Sequence, residues 1–113
     1  MKRDDKRLHI IQGTLDMIVL RTLATMGPQH AYQIALRLKQ ISDHRLLINQ
    51  GTLYPALVRL EQCGWIKSHW GKTDHNREAK FYELTRSGRN ALNRETEQWN
   101  ATIALVSRLL EAR

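Results

Sequence analysis

The densest set of side chains able to do chemistry lies in Asn49-Gln50-Gly51-Thr52-Leu53-Tyr54-Pro55-Ala56-Leu57-Val58-Arg59-Leu60-Glu61. Reading DNA takes short polar groups at a helix N-terminus, where free backbone N–H groups also favour phosphate. Asn49, Gln50 and Thr52 supply such groups, Tyr54 can donate to a phosphate oxygen, and Arg59 adds a charge one turn on. A second set, Lys72, His75, Arg77 and Lys80, stands in or beside the polar turn Gly71-Lys72-Thr73-Asp74-His75-Asn76-Arg77. A basic hairpin tip suits the phosphate backbone or an adjacent minor groove. Taken singly, the first set is also what an amphipathic helix with a polar start looks like, and the second a solvated turn. Their succession in the chain favours DNA.

Nothing comparable supports catalysis. His9, His30, His44, His69 and His75 lack metal-ligand spacing, so no metal is expected. Cys63 is the one cysteine, which excludes an intrachain disulfide and a Cys-rich zinc site; it reads as a half-buried thiol. Glu95 and Glu97 read as solvated helix residues rather than a catalytic pair. No nucleophile elbow, P-loop or Gly-rich dinucleotide turn occurs. The expectation is a protein that is not an enzyme and carries no cofactor.

Composition agrees. At 113 residues and 42% hydrophobic, the chain suits one domain with a modest core. A formal charge of +7 and a pI near 10.1 point to a polyanionic partner. Apolar runs such as Met17-Ile18-Val19-Leu20 are far too short for a bilayer. The charged start, Met1-Lys2-Arg3-Asp4-Asp5-Lys6-Arg7, has no apolar stretch behind it, so a cytoplasmic protein without a signal peptide is expected.

The elements that must position these groups are legible from periodicity. After a charged lead at 1–12, Thr14 reads as an N-cap with Asp16 in the first turn, and Leu15, Ile18, Val19, Leu23 and Met26 recur at helical spacing up to Gly27-Pro28. A second helix over 30–41 turns Ala31, Ile34, Ala35, Leu38 and Ile41 inward and Gln33, Arg37 and Gln40 outward. Ser42-Asp43-His44-Arg45 reads as a turn and Leu46-Leu47-Ile48 as a brief strand. A third helix over 51–63 faces Leu53, Leu57 and Leu60 inward and stops at Gly64, with Pro55 in or near its first turn. The period then changes. Trp65–Trp70 and Phe81–Leu84 read as the strands of a hairpin, and Thr85 as the N-cap of a last helix to about Ala112.

Three helices, a basic hairpin and a fourth helix form an α+β, mainly α pattern, that of a winged helix-turn-helix with a long C-terminal dimerisation helix. The division is 1–85 for the DNA-binding domain and 86–113 for the dimerisation helix. That last helix, about 26 residues and roughly 40 Å long, exceeds what so small a domain uses. Leu92, Thr96, Trp99, Ile103, Val106 and Leu110 follow a 4-3-4-3-4 spacing along it, a heptad seam that suggests a homodimer. Folding back onto its own core is the other way to use such a stripe.

Thr52-Leu53-Tyr54-Pro55-Ala56-Leu57, Arg59-Leu60-Glu61 and Gly64-Trp65-Ile66 resemble the signature of PadR-family transcriptional regulators. Gly13-Thr14-Leu15, Arg77, Lys80-Phe81-Tyr82-Glu83-Leu84-Thr85 and Gly88-Arg89 extend the likeness over about residues 8–113. His30-Ala31-Tyr32 departs from the family's His-Gly-Tyr, which bears on helix packing or the angle of approach to DNA. The single C-terminal helix resembles the short subfamily. The resemblance implies a homodimeric repressor released by a small molecule, such as a phenolic acid or a cationic drug. It also puts Trp99 where short multidrug-sensing members carry an aromatic residue lining a pore at the dimer centre. Trp99 as a bulky seam residue is the competing account.

The partners expected are therefore double-stranded operator DNA with an inverted repeat, a second copy of the chain, and a planar aromatic or cationic effector, with no membrane. A protein-docking winged helix without specific DNA binding is the rival, separated by the salt dependence of binding. An RNA-binding module would show a base-stacking aromatic sheet face, which the strands lack.

Overall fold

In the computed structural model, which describes residues 12–112, the first helix, α1 (Gln12–Met26), is already formed at Gln12. Thr14 is thus inside the helix rather than its cap, and Asp16 lies beyond the first turn. The charged lead falls outside the described residues except for Gln12. Leu15, Val19, Leu20 and Leu23 are buried, whereas Met26 is exposed at the helix end, where Gly27 turns the chain at φ +76°.

A two-residue strand, β1 (Gln29–His30), precedes α2 (Ala31–Ile41). Its pairing is non-local, with Gln29 opposite Tyr82 and His30 opposite Phe81, so nothing in the local pattern announces it. His30 caps α2 reciprocally: Gln33 N–H donates to His30 Nδ1 at 3.4 Å, and His30 N–H donates to Gln33 Oε1 at 3.0 Å. Ile34 and Leu38 are buried, but Ile41, expected to face inward, is exposed because the core ends one turn earlier. The turn beyond places Asp43 and His44 at positive φ. Ser42 Oγ accepts from Leu46 N–H at 2.7 Å. Residues 46–48 form no strand; Leu46 simply plugs the core.

The third helix, α3 (Gln50–Gln62), buries Leu53, Ala56, Leu57 and Leu60. Each of the leucines contributes about 1.5–3 kcal/mol. Pro55 is the sixth residue of α3, past the first turn. Lacking an N–H, it leaves the Gly51 carbonyl without its helical donor. Gly64, at φ +78°, ends the helix as expected.

The hairpin strands, β2 (Ile66–Lys72) and β3 (Glu78–Leu84), run longer than the sequence suggests and reduce the turn to 73–77. With β1 they make an antiparallel sheet in the order β1-β3-β2. Thr85 then fastens two joints. Its Oγ1 accepts from Gly88 N–H at 2.9 Å to cap the last helix, α4 (Arg86–Glu111), and donates to the Gly64 carbonyl at 2.7 Å. Gly88, Ala91 and Leu92 of α4 are buried against the domain, the turns up to Trp99 lie beside α1, and the helix beyond is exposed. The radius of gyration, 15.9 Å, accordingly exceeds the ~13 Å of a compact chain this long.

Candidate nucleic-acid interface

The core face of α3 leaves Gln50, Thr52, Tyr54, Pro55 and Val58 in solvent along the opposite side. Asn49 is the N-cap, its Oδ1 accepting from Thr52 N–H at 2.9 Å. That bond occupies its side-chain oxygen and leaves the amide NH2 as its outward donor.

Partners across the ladder point to one face of a hairpin. Ile66 with Leu84 and Ser68 with Tyr82 make the inner part of one face of the wing, and Trp70 with Lys80 and Lys72 with Glu78 carry it outward. Ile66 and Tyr82 are buried, so this face runs from the core into the space beside α3. There His30, Tyr32, Gln50, Tyr54, Trp70 and Lys80 line a groove of about 400 Å³. Of the expected residues, Gln50, Tyr54 and Lys80 meet in this groove; Asn49 and Thr52 flank it on the same helix end.

Tyr32 and Trp70 are not among the residues expected from sequence, yet they are 68% and 69% exposed at its rim. The signal was present: an exposed-side Trp in a polar hairpin, and a Tyr at the start of a helix.

Lys72, His75 and Arg77 are exposed at the wing tip. The tip is well fixed. Thr73 N–H donates to the Arg77 carbonyl at 2.8 Å, Thr73 Oγ1 accepts from the N–H groups of His75 and Arg77 at 3.2 Å each, and Asn76 takes φ +59°. Lys80 is a strand residue, not part of the tip. Its Nζ lies 3.8 Å from Glu61 Oε1 and 5.9 Å above the Tyr82 ring.

The wing's other face centres on a single phenylalanine. Phe81 stands edge-on to His30 at 5.3 Å and stacks on His69 at 5.9 Å, while Gly71 lies under its ring. His69 Nδ1 is 3.9 Å from Glu83 Oε1. Burial holds the His30 imidazole below its usual pKa, partly offset by Asp74.

Arg59 has a partner within the fold: its Nη2 donates to Asp16 Oδ1 at 2.8 Å and ties α3 to α1. Glu61 holds the other side, accepting from Ser68 Oγ at 2.6 Å.

On α4, Leu92 is 3% exposed and belongs to the protomer's own core, so it is no free seam residue. Trp99, Ile103, Val106 and Leu110 are exposed, with Leu105 and Leu109 beside them. Trp99 borders two grooves against α1. One, about 500 Å³, is lined by Met17, Ile18, Leu38, Ile41, Leu92 and Thr96; the other, about 240 Å³, by Gly13, Thr14, Met17, Glu95 and Gln98. Cys63 is exposed rather than half-buried. Among the described residues no cluster of His, Cys, Asp and Glu could hold a metal, and no helix is long and apolar enough to cross a membrane.

The profile of the "Transcriptional regulator PadR-like family" matches residues 19–94, which span α2, α3, the whole wing and parts of α1 and α4. An uncharacterised protein of Lysinibacillus sphaericus is 26% identical over 105 residues, covering 93% of this chain and 95% of its own. Among solved structures, a transcriptional regulator of Clostridium thermocellum superposes with a TM-score of 0.81 at 29% identity, over 89% of this chain and 97% of that one. A PadR-family transcriptional regulator of Eggerthella lenta gives 0.75 at 33% identity, over 90% and 86%. The signature residues, the winged-helix order and these matches agree: the chain is a transcriptional regulator, not an enzyme, and belongs to the PadR-like family.

Proposed function

We propose that the chain is a cytoplasmic, sequence-specific DNA-binding repressor, acting as a homodimer on an inverted-repeat operator and released by a small molecule. The observation that carries this reading is the groove in which Gln50 and Tyr54 of α3 face Trp70 and Lys80 of the wing. The exposed start of α3 fits the major groove, and the basic wing tip fits the flanking phosphates or minor groove. Asn49, Gln50 and Thr52 are the reading set, and Tyr54, Lys72, His75, Arg77 and Lys80 the positioning set. Arg59 leaves the contact set because Asp16 holds it.

The projecting half of α4, with Trp99, Ile103, Val106 and Leu110 in solvent, supports dimerisation through that helix. The grooves beside Trp99 support an effector site. An indole face suits a planar ring, and Glu95 at the groove edge suits a cation. Release requires that the effector bind the DNA-incompetent arrangement more tightly than the competent one.

A gel-shift titration with the DNA upstream of the gene tests the reading. A discrete dimer complex that weakens steeply with salt is expected; binding that does not respond to salt contradicts it.

A further inference from the structure

Arg59 and Glu61 lie two residues apart on α3 and are held from opposite sides. Arg59 reaches α1 through Asp16 at 2.8 Å, while Glu61 reaches the wing through Ser68 at 2.6 Å and Lys80 at 3.8 Å. Leu60 between them is buried in the core. Buried leucines hold the position of α3 but are non-directional, so they fix its roll and tilt poorly. Directional hydrogen bonds on both flanks fix what packing leaves free.

We propose that Asp16 is a positioning residue for DNA reading: through Arg59 it sets the angle at which α3 presents Gln50 and Thr52 to the bases. Asp16 and Arg59 are 19% and 34% exposed, and Arg59 Nε is buried with no partner among the described residues. The guanidinium thus reaches Asp16 through Nη2 at 2.8 Å while part of the side chain still meets solvent. Asp16 is also an anion in a protein whose proposed partner is an anion. A bystander carboxylate weakens DNA binding by repulsion, so its removal strengthens binding to every duplex. A positioning carboxylate has the opposite effect on the specific site alone, and the two roles differ in sign.

The inference rests on the operator reading above. The test measures affinity for an operator duplex selected from a random pool, and for random duplex of equal length, with thermal melts confirming folded protein. Asp16→Asn is expected to lower the operator-to-random ratio about tenfold, with random-duplex affinity unchanged or higher. Asp16→Glu, which keeps the carboxylate, should recover most of the ratio. Asp16→Asn/Arg59→Gln should reduce it no further than Arg59→Gln alone, because Asp16 acts through Arg59. If Asp16→Asn is unfolded at the assay temperature, the Arg59→Gln ratio decides in its place. A ratio kept within twofold, while the parent discriminates well, overturns the positioning role and leaves the operator reading intact. A parent that binds all duplexes alike overturns the operator reading and this inference together.

Discussion

Trp70 and Lys80 stand opposite each other in the register of β2 and β3, and both side chains line the groove that Gln50 and Tyr54 close from α3. An indole 69% exposed beside an ammonium offers apolar area and charge at one spot, which matches a deoxyribose next to a phosphate. With Trp65 and Trp99 replaced by Phe, the remaining Trp70 fluorescence should change on adding operator duplex and reverse with salt. Trp70→Ala should weaken binding to operator and random duplex alike, because a contact to sugar and phosphate carries no sequence information. An emission spectrum indifferent to DNA removes Trp70 from the interface.

Reading and positioning should separate by mutation. Lys72→Ala and Arg77→Ala, at the exposed tip, are expected to weaken operator and random DNA alike. Each should lower the salt slope by about two units, because the dimer carries two wings and neutralises two phosphates fewer. Gln50→Ala and Thr52→Ala should instead relax sequence preference by roughly 1–3 kcal/mol. Competition assays with point-substituted operators distinguish the two patterns.

Two of the joints that hold this geometry were legible in the sequence, and two were not. Thr85 and Gly64 announce themselves because a cap and a left-handed stop are local chemistry; the structure adds that they bond to each other. β1 was invisible because its two residues are strand only by virtue of Phe81 and Tyr82, far along the chain. The Asp16 partner of Arg59 was hidden because it lies 43 positions away, and helical spacing tells which face Arg59 occupies but not what waits there. Leu92 fits the heptad spacing, yet it packs into the core of its own chain. Periodicity marks an apolar stripe without marking where one partner ends and the next begins.

Acid should loosen α2. His30 accepts the Gln33 N–H through Nδ1, which only an unprotonated nitrogen can do. Burial lowers its pKa below 6.5 in the folded chain, so the unfolded chain binds the proton first as pH falls. The stability this gives is complete above pH 6.5 and is lost progressively below it. The melting temperature should drop with acidification, and His30→Asn, a non-titrating cap, should flatten that dependence.

Gly88→Ala should be severe. A Cβ there overlaps the Trp65 carbonyl oxygen and comes within 2.8 Å of Leu84 Cδ1, at the point where α4 leaves the wing. Backbone cannot yield as a flexible side chain would, so a loss of about 3 kcal/mol or more is expected in thermal or urea unfolding. Thr85→Ala, which removes the cap and the bond to the Gly64 carbonyl, should cost only about 1–2 kcal/mol.

Ile103→Glu and Val106→Glu should give monomers in sedimentation, because a carboxylate would be buried in each apolar seam. Trp99→Ala should weaken the binding of a planar cationic dye if the grooves beside it hold effectors. Equal dye affinity in parent and variant reduces Trp99 to a packing residue.

The central claim is that two copies of α3 and the wing read a two-fold symmetric duplex. Its most direct test compares an inverted-repeat operator with the same duplex carrying one scrambled half-site, each titrated between roughly 50 and 200 mM salt. The account predicts one dimer per intact site and a marked drop in affinity for the half-scrambled duplex. It also predicts a fall of roughly a thousandfold across that salt range, as about six phosphate contacts require. Equal affinity for the two duplexes, or binding indifferent to salt, would contradict it.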